Sequence, residues 1–150
     1  MTTIPVLISI RSNAHRDEAV EDETMTMLTS GVLELTDEAA VICYQEQIDE
    51  SMPMQQVTVT VADDCVTMAR DGTYTTQMVF RMGCRYEGQY HTPYGDMELA
   101  LYCTRLAYDL GDDGGELELS YQLDLNGSFA AMHDMELHLM AQEGENEPEA

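Results

Sequence analysis

In this 150-residue chain a histidine, an arginine, a glutamate and two tyrosines stand out, because each falls on or beside an apolar strand face. His133 shares the alternating parity of Phe129, Ala131, Met135 and Leu137, so its imidazole is expected to point inward, where it can contact a ligand or move a proton. Tyr44 and Glu46 share the parity of Ile42, which sets the phenol inward and the carboxylate at the mouth of whatever those strands enclose. Tyr121 lies on the face of Leu117, Leu119, Leu123 and Leu125. Arg105 adjoins an expected break in strand parity and has the fork of donors that holds a carboxylate ligand. Each has a plainer alternative: a core histidine bonded to a neighbour, a solvated strand end for Glu46, and an exterior ion pair between Arg105 and one of the 29 acids.

No catalytic set assembles around these residues. Gly111, Gly114 and Gly115 belong to a hairpin rather than to a phosphate loop before a helix, and no Gly-x-Ser-x-Gly elbow occurs. Cys43, Cys65, Cys84 and Cys103 are far apart and lack the close ligand pairs of a zinc site. They read as free thiols in a cytoplasmic chain, with no metal and no cofactor expected. The start, MTTIPVLISIRS, has no basic region ahead of its apolar run and does not read as a signal peptide. The reading is therefore of a binding or interaction protein, with enzymatic activity not expected.

Charge narrows the partners. The chain carries 29 Asp and Glu against six basic residues, all Arg, for a formal net charge of -23, and it contains no Lys. Nucleic acid and anionic membrane surfaces are bound through Lys and Arg, so both are expected to be repelled. A small molecule held inside, or a basic protein met outside, fits better. Self-repulsion also argues against a large contact between copies.

The elements that must position these residues are strands, because the repeating signal is period two. Glu116 to Leu125 is the clearest run, with leucines and Tyr121 on one face and Glu116, Glu118 and Asp124 on the other. Similar runs predict strands at 4–11, 22–29, 31–36, 39–47, 55–62, 65–70, 73–82, 85–91, 96–110, 116–125 and 128–140. Asp71-Gly72 and Asn126-Gly127 have the chemistry of tight primed turns, Asp112-Asp113-Gly114-Gly115 reads as a slightly longer loop, and Gly31 marks a hairpin. Inward parity shifts from Met97, Leu99, Leu101 and Cys103 to Leu106, Tyr108 and Leu110, which predicts a β-bulge near Thr104-Arg105. Met25, Met27, Met68, Met78, Met82 and Met135 are expected inward, as a flexible lining suited to apolar ligands. Tyr90 and Tyr94, beside Pro93, could form an aromatic rim.

Consecutive strands with no crossover helix make an antiparallel meander, and closing it removes exposed edges. The predicted fold is all-β, a single up-and-down antiparallel barrel of about eight to ten strands over residues 1–140. An acidic disordered tail is expected at 141–150. The segments Met78-Val79-Phe80 with Gly83, Tyr90-His91-Thr92-Pro93-Tyr94-Gly95, and Leu119-Ser120-Tyr121-Gln122-Leu123 resemble the YwiB-like family of uncharacterised bacterial proteins, with Thr92, Pro93, Tyr94 and Gly95 as its motif. That resemblance implies a calycin-like, lipocalin-type barrel of unknown function. The family often has an Asn where this chain has Asp134. The chain also has no Trp, so the Gly-x-Trp element of true lipocalins is missing.

Overall fold

Alternation of apolar and polar residues becomes ten antiparallel strands: β1 (Thr2–His15), β2 (Glu23–Leu35), β3 (Ala40–Glu46), β4 (Gln55–Ala62), β5 (Cys65–Asp71), β6 (Thr75–Arg81), β7 (Arg85–Thr92), β8 (Gly95–Gly111), β9 (Gly114–Leu125) and β10 (Ser128–Ala141). The computed structural model describes residues 2–16, 23–47 and 50–142. Each strand pairs with its neighbours in sequence, and β1 pairs with both β2 and β10, so the meander closes into a barrel and leaves no edge strand free among the described residues. Among the described residues, no helix is long and apolar enough to cross a membrane.

The interior is packed through most of its length. Val6, Ile8, Leu33, Ile42, Val59, Val66, Met68, Phe80, Leu101, Leu117 and Leu137 are buried from several strands at once. Each such side chain contributes about 1.5–3 kcal/mol by leaving water. Phe80 meets Tyr121 edge-on, with ring centroids 4.9 Å apart, an arrangement that matches the positive edge of one ring to the negative face of the other.

Turn chemistry holds where two residues must take positive φ. Asp63 and Asp64 have φ of 53° and 60°, and Asn126-Gly127 has 52° and 82°, which are the primed turns that follow the right-handed strand twist. Thr36 closes the β2–β3 turn by accepting the amides of Glu38 and Ala39 on its hydroxyl.

Several sequence expectations are corrected. The predicted segments 22–29 and 31–36 are one strand, and Gly31 is no hairpin: it sits mid-β2, paired to Val6 on one side and Tyr44 on the other. It is glycine because a Cβ there would lie 2.4 Å from the Cys43 carbonyl oxygen. Asp71-Gly72 is not a two-residue turn. Arg70 pairs with Thr76, and the wider loop between them folds around Gln55, whose amide oxygen accepts the Tyr74 N–H. Conversely, Asp112-Asp113 is the whole of the β8–β9 turn, since Gly111 pairs directly with Gly114.

The bulge expected at Thr104-Arg105 is present, with the β8–β9 register shifting between Cys103 and Arg105. A second bulge, between Phe129 and Ala131 of β10, has no counterpart in the sequence reading. It turns Phe129 outward, 50% exposed, because one extra residue reverses the parity of everything before it. Met82 is also exposed, in the turn after β6 rather than on its inner face. The barrel runs past the expected boundary at 140: Ala141 pairs with Val6, and the Gln142 amide donates to the Pro5 carbonyl. The rest of the expected tail, 143–150, lies outside the described residues.

Candidate functional site

At one end of the barrel the interior opens into a cavity of about 370 Å³. Strand register builds it in one layer. Reading across the sheet, Tyr44 of β3 pairs with Val57 of β4, Val57 with Arg70 of β5, Arg70 with Thr76 of β6, Thr76 with Tyr90 of β7, and Tyr90 with Met97 of β8. Pairs in register share a face, so Tyr44, Arg70, Thr76 and Tyr90 all reach the cavity. The opposite wall comes from β9 and β10, where Tyr121 pairs with His133 and their rings stack at 5.1 Å, 8° from parallel. Ile10, Met25, Met27, Met78, Leu99, Leu123, Leu125 and Met135 supply the apolar remainder.

Arg70 is the charged centre of this wall. Its Nε donates to Glu46 Oε2 at 2.9 Å, and both side chains are largely shielded, at 18% and 15% exposure. Gln55 Nε2 donates to the same oxygen at 2.9 Å. Gln55 thereby ties the ion pair to the β5–β6 loop that its own carbonyl oxygen holds. Burial disfavours the guanidinium charge, but Glu46 foremost, with Tyr44 and Tyr121, outweighs it and holds the Arg70 pKa above its ordinary value.

The aromatic groups are kept neutral. Burial pushes the Tyr44 phenol up to about 12, with Arg70 pulling partly the other way, and pushes Tyr121 up to about 12 against the same pull. Tyr90 is also raised by burial. His133 moves down, chiefly because burial penalises the imidazolium and secondly because Arg16 repels it, with Asp134 opposing. At neutral pH the wall thus holds one compensated ion pair and otherwise uncharged polar groups.

Four of the residues singled out in the sequence, Tyr44, Glu46, Tyr121 and His133, meet at this cavity. Glu46 is not a solvated strand end but half of a shielded ion pair. Arg105 stands apart on the outer face. It is exposed, bonded to Glu118, and beside a separate polar groove with Ser120 and Asp134, whose carboxylate accepts the Ser120 hydroxyl. The bulge aims Arg105 outward while Cys103 and Leu106 face in. Thr92, Pro93, Tyr94 and Gly95 form the β7–β8 turn, closed by the Thr92 hydroxyl donating to the Gly95 carbonyl at 2.7 Å and accepting the Tyr94 amide. None of the four lines the cavity. Tyr94 is 87% exposed at the tip, so the expected rim of Tyr90 and Tyr94 does not form, and Tyr90 packs against Tyr74 instead.

Arg70, Gln55 and Thr76 are what the sequence reading missed. Arg70 was legible: it continues the inward parity of Val66 and Met68 by one step. Gln55 was not, because its role depends on how wide the following loop becomes.

Over residues 8–137 the chain matches the family described as "Domain of unknown function (DUF1934)". Among solved structures, the crystal structure of the ywiB protein from Bacillus subtilis is similar to it, with 18% sequence identity over 94% of each chain and a TM-score of 0.82. At that identity the likeness concerns the fold. No curated protein matches the chain.

Proposed function

The chain belongs to the DUF1934 family, and from that premise we propose that it binds a small apolar or amphipathic molecule inside the barrel, at the Arg70 end. The cavity carries this reading. Its volume of about 370 Å³ falls in the range of small-molecule pockets, roughly 300–1,000 Å³. Its lining joins a methionine- and leucine-rich surface to a few convergent polar groups, the composition that holds an apolar body and orients it. The unpaired thiols fit a cytoplasmic setting, and a calycin-like kinship would place the ligand site in the barrel mouth in the same way.

Uptake of N-phenyl-1-naphthylamine, an uncharged probe that fluoresces in apolar surroundings, tests the reading. One probe per chain should bind and perturb tyrosine emission, which no Trp masks. Ser12→Trp, which fills the cavity from β1, should abolish uptake while leaving the strand signal in circular dichroism intact. A folded wild-type chain that takes up no probe overturns the proposal. A basic protein partner is the second reading, favoured by the charge of -23. It calls for a complex whose affinity falls steeply with added salt.

A further inference from the structure

The cavity holds polar atoms that the protein leaves without partners. Arg70 uses only Nε, so among the described residues its two terminal nitrogens have no acceptor. Both bonds to Glu46 fall on Oε2, which leaves Oε1 without a partner among the described residues. The hydroxyls of Tyr44 and Tyr121 likewise have no bonded partner among the described residues, although both residues are only 4% exposed. Buried polar groups are nearly always satisfied, and leaving one open costs about 1–3 kcal/mol. Donors and acceptors therefore converge on a space whose remaining lining is mostly methionine and leucine, with Ile10, Ser12, Gln47 and Thr76. The charge there is balanced, one Arg against one Glu, although the chain as a whole carries -23.

Resting on the reading of the barrel as a small-molecule binder, we infer that its ligand is an uncharged amphipathic molecule with an amide-type polar end, the carbonyl accepting from the terminal N–H groups of Arg70 and the N–H donating to Glu46 Oε1. A carboxylate would add an unbalanced negative charge beside Glu46, in a molecule that already repels anions. An ammonium would face the guanidinium. Both would be desolvated with no counter-charge, whereas an amide supplies one acceptor and one donor at no net charge.

The test compares octanamide, octanoate and octylamine at neutral pH by calorimetry and by displacement of N-phenyl-1-naphthylamine. Octanamide should bind at least about tenfold more tightly than either charged analogue, the scale set by leaving a buried charge or polar group unmatched. Glu46→Gln uncovers the Arg70 charge and should reverse the order in favour of octanoate, a change of preference that a purely structural role would not produce. Arg70→Lys keeps the charge but loses the fork, and should erase most of the octanamide preference. Should Glu46→Gln or Arg70→Lys fail to fold, the wild-type ranking still decides. If octanoate or octylamine matches or exceeds octanamide in the wild type, the amide inference is wrong while the pocket reading stands. If the probe and all three compounds leave the folded protein unbound, water alone fills the cavity and both readings fall.

Discussion

Glu46 and Arg70 show how shielding changes the weight of an ion pair. On a surface such a pair contributes about 0–1 kcal/mol. Here both partners are more than four-fifths covered, so removing one strands a charge, which typically costs about 3–5 kcal/mol. Arg70→Met and Glu46→Leu should each lower urea-unfolding stability on that scale. The double variant should lose clearly less than the sum, since it leaves no charge behind; additive losses would mean that the two do not act as a pair. His133 predicts a pH dependence. Its folded pKa lies below the ordinary 6.5 because of burial and then Arg16, with Arg70 also against protonation and Asp134 and Glu23 for it. Below about pH 6.5 the unfolded chain therefore binds this proton more readily than the folded one. Stability should fall as the pH drops from 6.5 toward the folded pKa, by at most about 1.4 kcal/mol per pH unit for one proton. Unfolding midpoints of His133→Phe should lack that part of the slope; identical profiles would show that His133 is not responsible. His133 and Tyr121 were legible from parity, but their stacking was not, because it depends on the β9–β10 register.

At the scale of the strand, period two decides nearly everything until a bulge intervenes. The β8 bulge could be seen in the sequence because leucines flank it on both parities. The β10 bulge left no such trace, since Ala130 and Ala131 fit either face, and only pairing with Leu123 and Asp124 reveals which one turned. Gly31 was misread for a related reason: a glycine in an alternating run signals a turn or a close approach, and composition does not distinguish them. Its environment leads to a comparison. Gly31→Ala would press its new methyl against the Cys43 carbonyl at 2.4 Å and Ile8 Cδ1 at 2.8 Å, whereas Gly111→Ala meets nothing within 4 Å and has an ordinary φ. Gly31→Ala should cost about 1–3 kcal/mol, the usual penalty of overpacking, and Gly111→Ala close to none. Equal melting temperatures for the two variants would show that β2 yields there without strain.

The whole molecule is an apolar cylinder with an acidic coat. Glu116, Glu118, Asp134 and Glu136 stand on outward positions of β9 and β10, while their neighbours Leu117, Leu119, Met135 and Leu137 are buried. Few positive charges interrupt that coat: Arg85 pairs with Glu87 and Arg105 with Glu118. Self-repulsion at -23 then weakens the compact state, most strongly where the screening length is long, about 30 Å at 0.01 M salt against about 8 Å at 0.15 M. The melting temperature should rise as a monovalent salt is added over that range. A flat or falling profile would show that local pairs compensate the charge.

The sequence alone determined the strand period, the primed turn at Asn126-Gly127, the closed meander and four of the residues that meet in the cavity, because alternation and positive-φ turn residues are local properties of the chain. It also determined the excess charge. Only the tertiary structure decided that Arg70 and Glu46, two strands apart around the barrel, form a pair, that Gln55 joins them to a loop, that Arg105 points out, and that one end of the barrel is left unfilled. Those outcomes depend on register and side-chain volume summed across many strands, and no single stretch of sequence contains that sum.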